Sequence, residues 1–186
     1  MENFPENVFI SIYFLVVLFI ISNNLRIKFI PGETPIPVTG KIFGVEEIEF
    51  AIQASLDFWL TSGTYTQQFE SSFAKKVGMR HAFMVNSGSS ANLLALTALT
   101  SRRLGESALK QGDEVLTVAA GFPTTVTPIL QNGLIPVYVD IDLETYVAND
   151  DALESAIGPK TRAIMMAHTL GNPFNLDLVT KLAQKH

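Results

Sequence analysis

Three short apolar stretches, each followed by residues with helical spacing, constrain the fold of this chain most strongly. The apolar residues of these stretches do not alternate with polar ones, which is typical of strands buried on both faces. Strands that alternate with helices predict an α/β fold, with a mostly parallel sheet covered by helices on both faces. The predicted strand and helix pairs are 81–86 with 89–100, 114–119 with 124–131, and 135–140 with 151–157, before a further strand at 162–167.

Two more helices are predicted ahead of these units. Apolar residues recur at helical spacing over 46–60, and Gly63 is expected to end this first helix. Thr64 or Thr66 is expected to cap the second helix, whose apolar face continues to Val77.

The segment that joins the strand at 81–86 to its helix consists of small residues, S-G-S-S. Backbone amides at a helix N-terminus have no intrahelical partner and carry a partial positive charge, so they favour a phosphate or a carboxylate. Gly88, Ser89 and Ser90 therefore form a candidate anion site. The alternative is that Ser87 or Ser89 simply caps the helix. The segment is neither a Walker loop nor a G-x-G-x-x-G dinucleotide motif.

The loops after the other strands also carry candidate functional residues, because ligands bind outside the carboxyl ends of parallel strands. Phe122, held between Gly and Pro, is expected either to stack on a planar ligand or to pack under its own loop. Asp140 and Asp142 are interpreted either as ligand contacts or as plain turn residues. His168 is either a proton-transfer residue or a buried structural histidine.

Composition excludes several classes of function. The chain has 186 residues and a net charge of -5, and its Lys and Arg residues do not cluster, so nucleic acid is not expected as a partner. It contains no cysteine, which excludes disulfides, thiolate metal sites and iron–sulfur ligands within it. The three histidines are too scattered to predict a zinc site, so no metal ligands are assigned.

The hydrophobic N-terminus, residues 8–21, stands apart from this pattern. A bilayer span takes about 20 apolar residues, so the run is short for a membrane helix. Two interpretations stay open: a membrane segment with Arg26 and Lys28 on the cytoplasmic side, or a surplus hydrophobic extension. In both, residues 1–26 are a separate extension and residues 27–186 are expected in the cytoplasm.

Five segments resemble the DegT/StrS-type sugar aminotransferase family, and more closely its deoxygenating branch, the 3-dehydratases of CDP-4-keto-6-deoxy-D-glucose. The resemblance covers about 27–186 and implies the aspartate-aminotransferase type I fold, with 27–186 as the N-terminal part of its large domain and the sheet incomplete at the C-terminus. The segments are FIPGETPIPVTGK (29–41), DFWLTSGTY (57–65), MVNSGSSANLLAL (84–96), AAGFPTTV (119–126) and HTLGNPFNLD (168–177).

The resemblance also implies a cofactor, pyridoxal or pyridoxamine 5′-phosphate, and roles for particular residues. Gly88, Ser89 and Ser90 would hold the cofactor phosphate, and Phe122 would stack on the pyridine ring. Gly63 and Tyr65 would bind the nucleotide sugar. The aspartate that pairs with the pyridine nitrogen and the residue that decides the chemistry, Lys in aminotransferases and His in dehydratases, are expected beyond His186, so no catalytic residue is assigned.

The implied reaction is loss of the C3 hydroxyl from a CDP-linked 4-keto-6-deoxyglucose, on the route to a 3,6-dideoxyhexose of surface polysaccharide such as lipopolysaccharide O-antigen. The implied partners are the CDP-sugar, a separate NADH-dependent flavin and iron–sulfur reductase, and a second copy in a homodimer of the full-length protein. The chain itself is expected to be an inactive fragment. Two alternatives stay open: a nucleotide-sugar aminotransferase of the same family, and a non-catalytic, membrane-tethered gene remnant.

Overall fold

The computed structural model describes residues 15, 19, 29–36 and 43–186. The interpretation of 8–21 as a membrane segment falls almost entirely outside these residues. No helix in the described part of the chain is long and apolar enough to cross a bilayer. The chain divides into two compact units, 1–84 and 85–186.

The first unit contains two helices, α1 (Val45–Leu56) and α2 (Thr64–Lys76). At the start of α1, the Gly44 amide donates to Glu47 Oε2 at 2.5 Å, and this bond holds the pKa of the Glu47 carboxyl below its ordinary value. The expectation that α1 continues to residue 60 is wrong, because the chain leaves the helix at Phe58, whose φ is +50°.

Gly63 has a different role from the predicted one. It does not end α1 but is the N-cap residue of α2, without a side-chain capping bond, so neither Thr64 nor Thr66 caps that helix. A Cβ atom on Gly63 would lie 2.7 Å from Cδ1 of Trp59. The indole therefore lies against the bare backbone of this residue, and a side chain there would force the indole to move.

The strand predicted at 81–86 does not form. A strand exists only through the backbone hydrogen bonds of a neighbour, and no strand in the described residues pairs with this stretch. The Met84 amide is instead bound by a side chain, Oε1 of Glu70, at 2.7 Å. Phe83 and Met84 are exposed, so none of the described residues covers the apolar pattern that suggested a buried strand.

The second unit is built on a three-stranded parallel sheet in the order β2-β1-β3, which confirms the predicted parallel arrangement. In β1 the register places Val118 opposite Val139 of β2, and Leu116 opposite Ile164 of β3. Each strand ends within three residues of its predicted bound. The strands are β1 (Glu114–Val118), β2 (Ile135–Val139) and β3 (Thr161–Ile164).

Four α-helices accompany the sheet, three of which were predicted. The fourth, α6, has apolar residues at helical spacing and an Asn175 cap whose Oδ1 accepts from the Leu178 amide at 3.1 Å. Short 3₁₀ segments occupy Arg102–Ser107 and Thr169–Gly171. The helices are α3 (Gly88–Leu99), α4 (Pro123–Gln131), α5 (Asp150–Ser155) and α6 (Leu176–Lys185).

Alternate residues of β1 face two different cores. Val115 packs with Leu96 of α3 and Ile129 of α4, whereas Leu116 packs with Leu153 of α5 and Leu182 of α6. The chain passes from β1 to β2 on one side of β1. From β2 it then crosses back over β1 to reach β3 on the other side. Since such crossovers are right-handed, α4 and α5 must lie on opposite faces. The carboxyl end of β1 thus lies between loops that lead to opposite faces, the usual place for a ligand.

One buried group in β1 lacks a partner. Thr117 is fully buried, and its hydroxyl makes no hydrogen bond among the described residues. Thr117→Val is expected to raise the free energy of unfolding by about 1–3 kcal/mol, because it removes an unsatisfied polar group at nearly constant volume. Urea denaturation followed by circular dichroism measures the change.

The matched control is Thr161→Val in β3. Its hydroxyl accepts from the Gly158 amide at 2.9 Å, so this replacement should lower the free energy of unfolding by about 0.5–1.5 kcal/mol. Destabilisation by Thr117→Val as well would mean that its hydroxyl has a partner in solution.

Candidate functional site

The N-terminus of α3 combines a side-chain cap with free backbone donors. Oγ of Ser87 accepts from the Ser90 amide at 3.2 Å, so the capping interpretation is confirmed for Ser87. The Ser90 hydroxyl donates to Oδ1 of Asn86 at 2.5 Å. The amides of Gly88 and Ser89 make no hydrogen bond with the described residues. The cap therefore leaves two adjacent donors open to an anion.

The surroundings of Gly88 indicate whether a phosphate fits at the start of α3. Its φ is not in the left-handed region, and a Cβ atom built on it would have no neighbour within 4 Å. Neither backbone conformation nor crowding by the described residues explains the glycine. A bare backbone next to open space allows a phosphate oxygen to approach the amides closely, so the residues present fit this group.

Phe122 follows β1 and is the N-cap residue of α4. Pro123 at the first helical position fixes where the helix begins. The ring is 71% exposed, so the alternative in which it packs under its loop is wrong. One face of the ring is therefore available for a planar ligand.

Helices α3 and α4 lie side by side with their N-termini at the same end. Nδ2 of Asn92 donates to the Thr124 carbonyl at 3.2 Å near the start of both helices, and Nδ2 of Asn132 donates to Oγ1 of Thr97 at 3.1 Å near their ends. A cavity of about 200 Å³ opens between the two helix starts. Its lining comprises Ser89, Ser90, Leu93, Thr124, Thr127, Pro128 and Gln131.

This arrangement places two partial positive charges on one side of the sheet. Both helix dipoles are directed with their positive ends toward this end, where anions are stabilised. Ser89 and Ser90 share the cavity with Thr124, which is two residues from Phe122. The structure thus brings the predicted anion site close to the loop that carries the predicted stacking residue.

Gly63 and Tyr65 belong to the first unit and line a cavity of about 480 Å³ with Trp59 and Asp57. Trp59 Nε1 donates to the Ser62 carbonyl at 3.0 Å. The Tyr65 ring meets the Phe50 ring edge-on, at 5.8 Å between centroids. The assignment of Gly63 and Tyr65 to the nucleotide sugar remains a prediction.

The two carboxylates after β2 accept hydrogen bonds from residues nearby in the sequence. Oδ1 of Asp142 accepts from Nδ2 of Asn149 at 2.8 Å, and the Asp142 carbonyl accepts from the Tyr146 amide at 2.8 Å. Oδ1 of Asp140 accepts from the Ile141 amide at 2.8 Å. These bonds favour the interpretation of both residues as turn residues.

His168 is exposed, so the alternative of a buried structural histidine is wrong, and a role in proton transfer stays a prediction. Its ring stacks on Phe174 with 4.3 Å between centroids. No group of three or more His, Asp or Glu side chains in the described part of the chain is arranged to hold a metal ion.

The hydrogen bond between Asn92 and the Thr124 carbonyl at this site was not predicted. The signal in the sequence was a single amide residue within an apolar helix stretch, S-A-N-L-L-A-L. Its partner, 32 residues away, follows only from the packing of α3 on α4.

The solved structures that resemble this one include nucleotide-sugar 3-dehydratases and a putative sugar aminotransferase. The structure superposes on the E. coli GDP-4-keto-6-deoxy-D-mannose-3-dehydratase with bound hydrated pyridoxal phosphate, with a TM-score of 0.72 and 38% identity over 81% of this chain and 38% of that one. The fold is accordingly that of part of the large domain of type I pyridoxal-phosphate enzymes.

The chain belongs to the DegT/DnrJ/EryC1/StrS aminotransferase family, whose model matches residues 43–186. It is 54% identical over 158 residues to the lipopolysaccharide biosynthesis protein RfbH of Salmonella typhimurium, covering 85% of this chain and 36% of that protein. It is 49% identical to the dTDP-4-dehydro-2,6-dideoxy-D-glucose 3-dehydratase of Saccharopolyspora spinosa, covering 85% and 34%. The chain thus spans about a third of the length of these relatives.

Proposed function

We propose that this chain is the cofactor-binding, N-terminal part of a pyridoxal- or pyridoxamine-5′-phosphate-dependent 3-dehydratase of nucleotide-linked 4-keto-6-deoxy sugars. The observation that carries the proposal is the open pair of amides at Gly88 and Ser89 beside a loop that presents an exposed aromatic ring, Phe122. Phosphate and pyridine ring, the two ends of such a cofactor, match these two features.

In this proposal the start of α3 holds the phosphate. The amides of Gly88 and Ser89 donate to its oxygens, and the helix dipole stabilises its charge. The amide of Ser90 is already bound by Ser87, so Ser90 contributes through its hydroxyl, which rotates away from Asn86 to do so. Phe122 covers one face of the pyridine ring and limits its tilt.

When bound, the cofactor supplies the amine and the electron sink that removal of a C3 hydroxyl requires. The residues of this chain bind and orient it, and Gly63 and Tyr65 are assigned to the nucleotide sugar. The proton-transfer residue and the aspartate that pairs with the pyridine nitrogen are expected in the part of the enzyme that corresponds to the remaining length of its relatives. The 186-residue chain alone is therefore expected to be inactive.

The substrate that we favour is CDP-4-keto-6-deoxy-D-glucose, on the route to a 3,6-dideoxyhexose of surface polysaccharide. The name of the Salmonella relative, a lipopolysaccharide biosynthesis protein, supports this route. Other relatives are named for dTDP- and GDP-linked substrates, so the nucleotide is the first property to test. The proposed partners are an NADH-dependent flavin and iron–sulfur reductase and a second subunit.

The reaction class is tested by sequencing the DNA beyond the codon for His186. A reading frame that continues into a strand with an aspartate and then a catalytic histidine supports the dehydratase. A lysine at that position would instead make the protein an aminotransferase of the same family. A stop codon directly after His186 would contradict a catalytic role.

The cofactor site is tested on the chain itself with Phe122→Ala. Loss of stacking is expected to weaken the binding of pyridoxamine 5′-phosphate by about 2- to 13-fold, the equivalent of about 0.5–1.5 kcal/mol. The exposed ring contributes little to the folded state, so thermal unfolding should stay unchanged. Fluorescence titration measures the affinity, with Phe122→Trp as the variant expected to retain it. Equal affinity of the alanine variant would contradict the stacking role.

A further inference from the structure

The first turn of α4 contains a carbonyl that its own helix cannot satisfy. In a regular helix the Thr124 carbonyl would accept from the amide of residue 128, but residue 128 is proline and has no N–H. The Thr124 carbonyl therefore has to find its donor outside the regular hydrogen bonds of its own helix.

Asn92 of α3 provides this donor. Its Nδ2 lies 3.2 Å from the Thr124 oxygen, and the side chain is half-buried between the helices. Asn92 is four residues after Gly88 and three after Ser89, so it lies on the same side of α3 as the open amides. One hydrogen bond thus joins the turn next to the proposed phosphate site to the turn that begins beside Phe122.

From this geometry we infer that Asn92 is a positioning residue, which sets the distance between the phosphate site and the Phe122 ring. The inference rests on the proposed function, since it concerns the same cofactor. A ligand that uses both features is sensitive to this distance, whereas an anion that uses only the start of α3 is not. Asn92 needs no contact with the cofactor to act in this way.

The chain offers a matched control at the other end of the same helix pair. Nδ2 of Asn132 donates to Oγ1 of Thr97 at 3.1 Å and to the Pro128 carbonyl at 2.8 Å. Asn132 therefore also ties α4 to α3, but where the helices end, away from the amides of Gly88 and Ser89. Asn132→Ala removes an interhelical bond without touching the proposed site.

The experiment compares two probes, pyridoxamine 5′-phosphate and inorganic phosphate, on the 186-residue chain by isothermal titration. Asn92→Ala is expected to lower the affinity for pyridoxamine 5′-phosphate by about three- to tenfold, the equivalent of one hydrogen bond. The affinity for inorganic phosphate should change by less than about twofold. Asn132→Ala is expected to leave the ratio of the two affinities unchanged.

A second variant separates positioning from simple satisfaction of the carbonyl. Pro128→Ala restores a backbone N–H at residue 128, which can donate to the Thr124 carbonyl within α4. Combined with Asn92→Ala, it should recover thermal stability but not the affinity for pyridoxamine 5′-phosphate, because the bond between the helices is still missing. Recovery of both would overturn the inference and leave Asn92 a structural residue.

The remaining outcomes are also distinct. If Asn92→Ala weakens the binding of both probes equally, the substitution has disturbed the start of α3 in general. This result would contradict a positioning role for Asn92. If the wild-type chain binds inorganic phosphate as tightly as pyridoxamine 5′-phosphate, the proposed cofactor site is contradicted, and so is the inference about Asn92. An unchanged cofactor affinity in Asn92→Ala would sink the inference alone.

Discussion

Ser89→Asp is expected to stabilise the chain slightly while it abolishes measurable affinity for pyridoxamine 5′-phosphate. Residue 89 is the second residue of α3, where a carboxylate interacts favourably with the helix dipole and gains about 0.3–1 kcal/mol. The same carboxylate would lie about 5 Å from a bound phosphate, and repulsion of about 3 kcal/mol per charge pair at an effective dielectric of about 20 weakens binding at least about a hundredfold.

The control for this variant is Ser101→Asp. It makes the same chemical change just after the opposite end of α3, where Oγ of Ser101 accepts from the Arg103 amide at 3.4 Å and aspartate keeps a capping oxygen. Its affinity for the cofactor should equal that of the wild type. Thermal unfolding and titration on the three proteins decide the matter. Retained affinity in Ser89→Asp would place the phosphate elsewhere.

The elements of the second unit could be predicted because their patterns are local. The strands after residue 113 are short runs of apolar residues, and turns such as Asn132-Gly133 separate them from their helices. The same logic was wrong for 81–86, where the composition is that of a strand but no described strand pairs with it. Sequence periodicity reports what could be buried, not whether a partner covers it.

Helix ends show a second limit of local patterns. Apolar spacing continues to residue 60, but Phe58 adopts a positive φ, and Trp59 turns to cover Gly63. Beyond the end of α1, the Trp59 side chain contacts the backbone of Ser62 and Gly63. No propensity for residues 46–60 contains that information.

The candidate site also contains residues with a local sequence signal and a contact that depends on the packing of two helices. The sequence alone could nominate Gly88, Ser89, Ser90 and Phe122 because a small-residue helix start and an aromatic between Gly and Pro have a direct chemical meaning, and their roles remain predictions. The bond from Asn92 to Thr124 leaves only a weak signature in the sequence, a single amide residue within an apolar stretch. It depends on a proline that removes a donor in one helix and on an amide that another helix places within reach.

Leu116→Ala is expected to cause the largest loss of stability of any single truncation in β1. The side chain is fully buried in the core that α5 and α6 cover. Removal of its three carbon atoms leaves a cavity that close-packed neighbours cannot fill, at a cost of about 2–5 kcal/mol. Small domains have a free energy of unfolding of about 5–15 kcal/mol, so the variant should unfold at a clearly lower urea concentration.

Leu143→Ala is the matched control, because it removes the same atoms from a side chain that is 81% exposed and should change stability by less than about 0.5 kcal/mol. Leu116 lies on the face of β1 opposite α3 and α4, so the cavity forms away from the proposed cofactor site. In the absence of urea the folded fraction of Leu116→Ala should therefore bind pyridoxamine 5′-phosphate with wild-type affinity. Equal urea midpoints for the two variants would mean that this face of the sheet is not the closed core that the structure describes. A loss of affinity in a fully folded Leu116→Ala would instead mean that the two faces of β1 are coupled, and that packing under α5 and α6 helps to hold the start of α3 in place.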